Sequence, residues 1–458
     1  MVGYEANRCC LRAQSPVAGR AVSETIAAVA TPTGQGGIGI VRISGAAALP
    51  VARAVTGLEL RPRHAHYARF RDAQGRQVDE GLALYFPDPA SFTGEDVVEL
   101  HGHGGVVVMQ LLLQAVLEQG ARLAQPGEFT QRAFLNGKLD LAQAEAVADL
   151  IASGSAAAAR GALRSLQGEF SERIALADAA VRQLRVHVEA AVDFPDEELE
   201  LLADGAVADQ LRQVGQTLSE LLADARHGVL LSDGVTVALV GPPNVGKSSL
   251  LNALAGHPHA IVTEIPGTTR DVIRVALDLD GLPAVIVDTA GLRDSGDIVE
   301  QEGVRRARQA ALAADLILQV RDLTLEVDVE PLEADAPIVE VGNKVDLTDL
   351  APGRCGPAAV RVSAVTGAGL PELTQAMLDG IGFSQPEATF TARRRHLEAL
   401  AAAEAALQTA LQLVADAQPA ELVAEELRAV HGRLGEIVGE TTTDDLLGEI
   451  FASFCIGK

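Results

Sequence analysis

From about Glu24 to Lys138, short apolar runs are separated by Gly- and Pro-rich breaks, as in Gly39-Ile40-Val41-Arg42-Ile43, Leu82-Ala83-Leu84-Tyr85-Phe86 and Val97-Val98-Glu99-Leu100. Runs of this length, bounded by turn residues, predict strands, and the helical stretches between them predict an α+β domain. From Leu139 the period lengthens. Leu163, Leu166, Phe170, Ile174, Ala177, Val181, Leu184 and Val188 recur at steps of three and four. That spacing predicts one long helix whose heptad seam packs against other helices. Pro195, in Asp193-Phe194-Pro195-Asp196, blocks its continuation, and a further helical stretch runs to about Leu231.

The pattern changes again at Val235. Apolar strands such as Thr236–Val240 and Ala284–Val287 alternate with helical segments, the signature of a doubly wound α/β domain. After about Gly382 the helical period returns. Arg393-Arg394-Arg395-His396 leads into Leu397, Leu400, Leu407, Leu411 and Val414, and a second seam follows at Val423, Leu427, Val430, Leu434 and Ile437. The simplest expectation is one helical domain interrupted by the α/β domain, with two separate helical domains as the alternative. The expected boundaries are 1–23 for an irregular extension, 24–138 for the α+β domain, 139–233 and 384–458 for the two helical parts, and 234–383 for the insertion. The extension reads as a disordered tail or as the product of a start codon placed too far upstream.

Composition sharpens this picture. A chain of 458 residues exceeds one core, and at roughly 150 residues per domain about three are expected. With no Trp, Leu, Val, Ile and Ala must fill the cores, a composition that favours helix. Acidic residues outnumber basic ones 62 to 37, for a formal charge of −25. Such a field repels phosphate backbones and argues against tight, unaided nucleic-acid binding. Cys9, Cys10, Cys355 and Cys455 have neither metal-ligand spacing nor a disulfide pattern, which fits a reducing cytoplasm. No apolar run approaches the roughly 20 residues that span a bilayer, so no membrane association is expected.

The chemistry concentrates in the α/β region. Gly241-Pro242-Pro243-Asn244-Val245-Gly246-Lys247-Ser248 fits the phosphate-binding loop G-x-x-x-x-G-K-[ST], following a strand and opening a helix. Its backbone N–H groups and the helix N-terminus suit phosphate, Lys247 suits the β- and γ-oxygens, and Ser248 suits Mg²⁺. Asp288-Thr289-Ala290-Gly291 follows another apolar strand, placing Asp288 beside the metal and Gly291 near the γ-phosphate. Asn343-Lys344-Val345-Asp346 follows the strand Ile338–Val341. A carboxylate at Asp346 accepts from N1–H and the exocyclic amine of guanine, a donor pair that adenine lacks. Ser363-Ala364 stands where a backbone N–H can reach the guanine carbonyl.

Between these elements lies Gly267-Thr268-Thr269-Arg270-Asp271. Thr269 is expected to complete the Mg²⁺ shell only when the γ-phosphate is present, which makes this a switch segment, and the alternative is a polar turn after Pro266-Gly267. Leu292 occupies the position where small regulatory GTPases carry a water-orienting Gln, and no arginine finger is obvious, although Arg270 and Arg293 are nearby. Another group must therefore orient the attacking water, or hydrolysis is very slow.

Together these motifs resemble the bacterial tRNA-modification GTPase family MnmE, also called TrmE. The resemblance runs from about Thr25 to Lys458, through residues 36–45 (Gly-Gly-Ile-Gly-Ile-Val-Arg-Ile-Ser-Gly), 91–96, 126–141, the nucleotide motifs, and 454–458 (Phe-Cys-Ile-Gly-Lys). It implies a multidomain chain: an α+β tetrahydrofolate-binding-like domain, a discontinuous α-helical bundle and an inserted α/β P-loop GTPase domain. It also implies a homodimer and an FAD-carrying partner of the MnmG kind. With that partner, the family adds an aminomethyl or carboxymethylaminomethyl group to wobble uridine of tRNA, using a formyl or methylene tetrahydrofolate unit. The partner would supply most of the tRNA surface, which eases the tension with the −25 charge.

The same resemblance implies activation by K⁺, whose charge beside the phosphates does the work of an arginine finger. Asn244, Thr263, Ile265 and Thr268 match the potassium positions. The expected GTP-contacting set is Asn244, Val245, Gly246, Lys247, Ser248 and Ser249, then Thr263, Glu264, Ile265, Pro266, Gly267, Thr268 and Thr269. It continues with Asp288, Thr289, Ala290 and Gly291, then Asn343, Lys344, Val345 and Asp346, and ends with Ser363, Ala364 and Val365. Glu300 matches the residue that orients the attacking water through a second water; otherwise it is an exposed helix-capping Glu. Arg42, Glu99, Lys138 and Lys458 match folate-contacting positions, though each alone reads as an ordinary surface charge. Cys455 matches a cysteine needed for the modification, and with Phe454 and Ile456 beside it simple burial is the alternative. Lys247, Glu300 and Cys455 are thus the residues expected to act in catalysis. Two competing functions remain at this level, a ribosome-assembly GTPase and a regulatory switch acting through GTP-dependent dimerisation.

Overall fold

The computed structural model describes residues 24–193, 206–256, 273–288, 314–325, 334–383, 390–441, 443–454 and 457. Two compact units emerge: residues up to Leu139 together with those from Leu447 onward, and residues Asp140 to Leu446.

The first unit contains β1 (Ile26–Val29), β2 (Gly36–Ser44), α1 (Ala48–Thr56), β3 (His66–Arg71), β4 (Gln77–Phe86), β5 (Val97–Gly104), α2 (Val106–Leu117), β6 (Arg122–Leu123) and α3 (Glu128–Leu135). The strands form one sheet in the order β3-β4-β5-β2-β1-β6. Alternation along β2 and β5 sends Val41, Ile43, Val98 and Leu100 into a core with α1 and α2. On the opposite face Ile26 and Ala28 pack with Phe129 of α3. The α+β expectation for this region holds.

The second unit begins with α4 (Leu141–Ala152), α5 (Ala156–Leu166), α6 (Glu169–Asp193) and α7 (Ala206–Asp233). The single long helix expected from Leu163 onward is in fact two. The break falls at Gln167-Gly168, where Gly168 takes φ +96°, a left-handed conformation natural to glycine that ends α5. Leu163 is consequently exposed, while Phe170, Ile174, Ala177, Val181, Leu184 and Val188 of α6 are buried as a seam.

The inserted domain follows as β7 (Val235–Val240), α8 (Lys247–Ala255), β8 (Ile273–Leu279), β9 (Leu282–Asp288), β10 (Leu316–Asp322), β11 (Ile338–Asn343), β12 (Gly353–Gly356), β13 (Ala359–Arg361) and α9 (Leu370–Ile381). Its sheet has the order β12-β13-β11-β10-β7-β9-β8. β13, β11, β10, β7 and β9 run parallel, with antiparallel β12 and β8 at the edges. Parallel strands present all their carboxyl ends at one edge, which is where such sheets bind ligands.

After the insertion come α10 (Arg394–Ala415), α11 (Ala420–Val438) and α12 (Asp444–Ala452). Leu400 and Leu407 of α10 and Val423, Leu427, Val430, Leu434 and Ile437 of α11 share one core with the seams of α6 and α7. The helical stretches on either side of the insertion therefore build one bundle. Residues 447–454 instead belong to the first unit, where Phe451 and Phe454 meet Gly127 at the start of α3. A Cβ on Gly127, whose φ is +67°, would lie 2.5 Å from the Phe451 carbonyl oxygen.

Candidate functional site

The loop between β7 and α8 is shaped by left-handed residues at Asn244 (φ +64°) and Gly246 (φ +96°). Lys247 opens α8 and is buried; its Nζ donates to the carbonyls of Gly241 (2.6 Å) and Pro242 (2.8 Å). Burial lowers the pKa of Lys247, while Asp288 opposes that shift. Ser248 and Ser249 are exposed at the first turn of α8. Ser248 Oγ donates to Asp288 Oδ2 at 3.1 Å. Adjacent oxygens on an octahedral Mg²⁺, each about 2.0–2.1 Å from the ion, lie roughly 3.0 Å apart, so the two side chains fit a shared hard cation.

The segments Asn343–Asp346 and Ser363–Val365 close against this loop. Asn343, at the carboxyl end of β11, is buried; its Nδ2 donates to Val245 O at 2.9 Å, and its Oδ1 accepts from Ala364 N at 3.1 Å. One amide thus ties the phosphate loop to the Ser363-Ala364 turn. Gly246 is required here, since a Cβ would lie 2.3 Å from Asn343 Nδ2. Of the backbone N–H groups in the Ser363-Ala364 turn, expected to offer one to the guanine carbonyl, that of Ala364 is engaged by Asn343. Lys344 takes φ +67°, and its Nζ reaches Asn244 O (3.1 Å) and Asp322 Oδ2 (2.5 Å). Val345 N donates to Val362 O, and Asp346 is exposed in the short helical turn Val345–Leu347. Ser363 is buried, accepting at Oγ from Thr366 N, and Val365 is exposed.

Asp322 was not foreseen, although it ends an apolar strand as Asp288 does. Burial works to raise its pKa, but hydrogen bonds from Lys344 and Thr324 outweigh that and hold the carboxyl low. Thr263, Glu264, Ile265, Pro266, Gly267, Thr268, Thr269, Thr289, Ala290, Gly291 and Glu300 lie outside the described residues.

The first unit carries a second polar centre. Ala28, Arg42, Glu99 and Leu84 form one row across β1, β2, β5 and β4. Both Arg42 Nε (3.0 Å) and a terminal guanidinium nitrogen (2.9 Å) donate to Glu99 Oε1, leaving Oε2 to His101 Nε2 at 3.3 Å. The His101 hydrogen bond, with the Arg42 charge, holds the Glu99 carboxyl below the usual range against the effect of burial. The guanidinium lies 5.5 Å from the ring centre of Phe92 and 5.8 Å from that of Phe129. Lys138 Nζ donates to Pro89 O at 3.1 Å, on the loop that leads to Phe92. Sequence reasoning missed His101 and the two rings; the signal was His101 two positions beyond Glu99, on the same face of the strand. Gly457 packs on Val29 O of β1, while Cys455 and Lys458 lie outside the described residues.

Comparison with known proteins matches residues 25–138 to the family described as GTP-binding protein TrmE N-terminus, and residues 141–455 to the MnmE helical domain. The tRNA modification GTPase MnmE of Alkalilimnicola ehrlichii is 53% identical over 441 residues, 95% of this chain and 99% of that protein. The protein of the same name from Pseudomonas aeruginosa is 52% identical over 454 residues, covering 96% of this chain and all of its own length. Among solved structures, Aquifex aeolicus Era bound to GDP and AlF4⁻ is 28% identical, covering 38% of this chain and 66% of its own, with a TM-score of 0.24. Matched in both its N-terminal and helical parts, and more than half identical to such relatives along nearly its whole length, the chain belongs to the MnmE (TrmE) family.

Proposed function

We propose that the chain is a Mg²⁺-dependent, K⁺-activated GTP hydrolase that takes part in modifying the wobble uridine of tRNA. The observation that carries the nucleotide half is the Asn343 amide, which braces the phosphate loop and the base-side turn as one unit. Lys247, held on loop carbonyls, would exchange those partners for β- and γ-phosphate oxygens. Asp346 reads the N1–H and exocyclic amine of guanine. Ser248, with Asp288 beside it, and Thr269 would hold Mg²⁺, which neutralises phosphate charge. Oxygens of Asn244, Thr263, Ile265 and Thr268 would hold K⁺, which supplies a further positive charge at the transition state. Glu300 orients the attacking water.

In the first unit, Arg42, Glu99, Lys138 and Lys458 would bind a formyl or methylene tetrahydrofolate. Glu99 suits the donor edge of a pterin, and Arg and Lys suit ligand carboxylates. Delivery to tRNA is assigned to a complex of the homodimer with an FAD-carrying, MnmG-like partner in the cytoplasm, with Cys455 serving the modification. Among the described residues, no helix is long and apolar enough to cross a membrane. Exchanging the base-reading group tests the nucleotide assignment: Asp346→Asn should lose GTP turnover and gain turnover of xanthosine triphosphate. Unchanged preference for GTP would overturn it.

A further inference from the structure

The hairpin β8–β9 forms the edge of the inserted sheet and has one end at the nucleotide site. Its ladder is continuous from Ile273 opposite Asp288 to Leu279 opposite Leu282. Asp280 and Gly281 close it as a two-residue turn with both φ positive, at +47° and +99°, and Asp278 Oδ1 accepts from Gly281 N. At the other end, Asp288 Oδ2 accepts from Ser248 Oγ, so the ladder is a continuous path from the nucleotide site to the turn.

That turn is fastened to the helical bundle. Ser155, buried at the N-cap of α5, donates from Oγ to Gly281 O at 2.6 Å and accepts from Ala158 N at 3.0 Å. Two glycines flank Pro283 of β9: a Cβ on Gly154, before α5, would lie 3.4 Å from its ring, and one on Gly234, between α7 and β7 at φ +68°, 2.8 Å from its carbonyl oxygen. Ala157, in the first turn of α5, packs on the core of the inserted domain.

The far end of α5 is bonded to the segment by which the chain returns from the insertion. Ser165 Oγ donates to Thr391 O and accepts from Thr391 N, each at 2.9 Å. Beside Thr391, the Phe390 ring stacks on Phe170 of α6 at 4.7 Å. One short helix therefore connects the hairpin turn to the bundle core, with a buried serine at each joint.

The geometry points to α5 as a transmission strut, with Ser155 as the positioning residue that passes nucleotide-dependent motion of the β8–β9 hairpin to the bundle. This rests on the GTPase reading, and the test separates the two. Ser155→Asp keeps an N-cap acceptor for Ala158 N but has no proton to offer Gly281 O, so it cuts the joint and spares the helix cap. Ser155→Ala removes both.

Hydrogen exchange of the full chain is compared without nucleotide and with GDP, Mg²⁺, K⁺ and aluminium fluoride. In the wild type, exchange should change in 273–288, in 156–166 and in 390–400. In Ser155→Asp the change in 273–288 should persist, the other two should be lost, and GTP turnover should stay within about twofold. An undiminished response of 156–166 in Ser155→Asp overturns the strut, as does a wild type in which only 273–288 responds. A wild type that neither hydrolyses GTP nor changes in 273–288 instead removes the GTPase reading, and with it the motion the strut would carry.

Discussion

His396 donates from Nε2 to Glu145 Oε2 at 2.9 Å, joining residues 251 apart in sequence. The tautomer follows from the other ring nitrogen, because Nδ1 accepts the Arg393 N–H at 3.0 Å and the proton must sit on Nε2. Burial pushes the pKa of His396 down, which keeps the ring neutral. The same Glu145 carboxylate accepts from Arg395 Nε (2.8 Å) and from its terminal nitrogen (2.7 Å). With Arg393 paired to Asp149, the residues Arg393, Arg395 and His396 are therefore the latch by which the second half of the bundle closes on the first.

Removing the charge from that latch should be costly. Glu145→Gln leaves Arg395 without its buried partner, and breaking such a pair costs about 3–5 kcal/mol. Although burial opposes it, the hydrogen bonds from the neutral His396 ring and from Arg395, with the Arg395 charge, hold the Glu145 carboxyl below its ordinary range. A depressed carboxyl stabilises the fold above its unfolded pKa, and that contribution drains away as pH falls below about 5 through the folded-state pKa. Urea unfolding of the wild type should lose stability across that window, and Glu145→Gln should be weaker but flatter. Parallel pH curves for the two proteins would exclude the latch as a source of acid sensitivity.

The brace at Asn343 gives a second expectation. Asn343→Ala leaves Val245 O and Ala364 N without their partner, at about 1–3 kcal/mol for each unmade bond. GDP affinity, followed by fluorescence titration, should fall about tenfold or more. Asn343→Asp can still accept from Ala364 N but repels Val245 O, so an Asp variant that binds GDP as the wild type does would refute the bridging role.

Much of this was readable in the chain because the signals are local. A phosphate loop needs Gly246 where no Cβ fits, and Asn343 needs a strand to deliver it; both are encoded within a few residues. The seams at Phe170–Val188 and Val423–Ile437 declare themselves by period, and all their members are buried. What escaped was non-local. The break at Gly168 depends on one backbone dihedral that the apolar spacing runs straight through. The Ser155–Gly281 joint spans 126 residues and is made by one hydroxyl and one carbonyl, neither distinctive in sequence. Asp322 gained its role only when Lys344 arrived from just beyond the end of the neighbouring strand.

Potassium dependence is tested at Asn244. Its φ of +64° makes Ala a poor replacement, because strain would be mixed with loss of the ligand. Asn244→Gly tolerates the conformation and removes the side chain that would carry the ligand oxygen. If that oxygen holds K⁺, replacing K⁺ by Na⁺ should slow wild-type turnover by about tenfold or more and leave the Gly variant nearly unchanged. A Gly variant that still responds fully to K⁺ would remove Asn244 from the ion's shell.

The folate assignment makes a demand that the geometry renders sharp. Glu99 spends Oε1 on Arg42 and turns Oε2 toward His101, so a pterin donor edge must engage a carboxylate already oriented on two sides. Glu99→Gln preserves shape and removes charge; Arg42→Met preserves length and removes the partner. Because the Glu99 carboxyl is held low by His101 and Arg42, it stays ionised through neutral pH, and loss of that charge should matter there. Calorimetric titration with a formyl-tetrahydrofolate should show binding weakened by about tenfold or more in each variant, the magnitude of a lost charged hydrogen bond. GTP turnover should not move, since the row of Ala28, Arg42, Glu99 and Leu84 belongs to the unit without the phosphate loop. Undiminished folate binding in Glu99→Gln would mean that the ligand, if it binds, does not use this row, and the Arg42–Glu99 pair would then be explained as a cross-strand bond that fixes the register of β2 against β5.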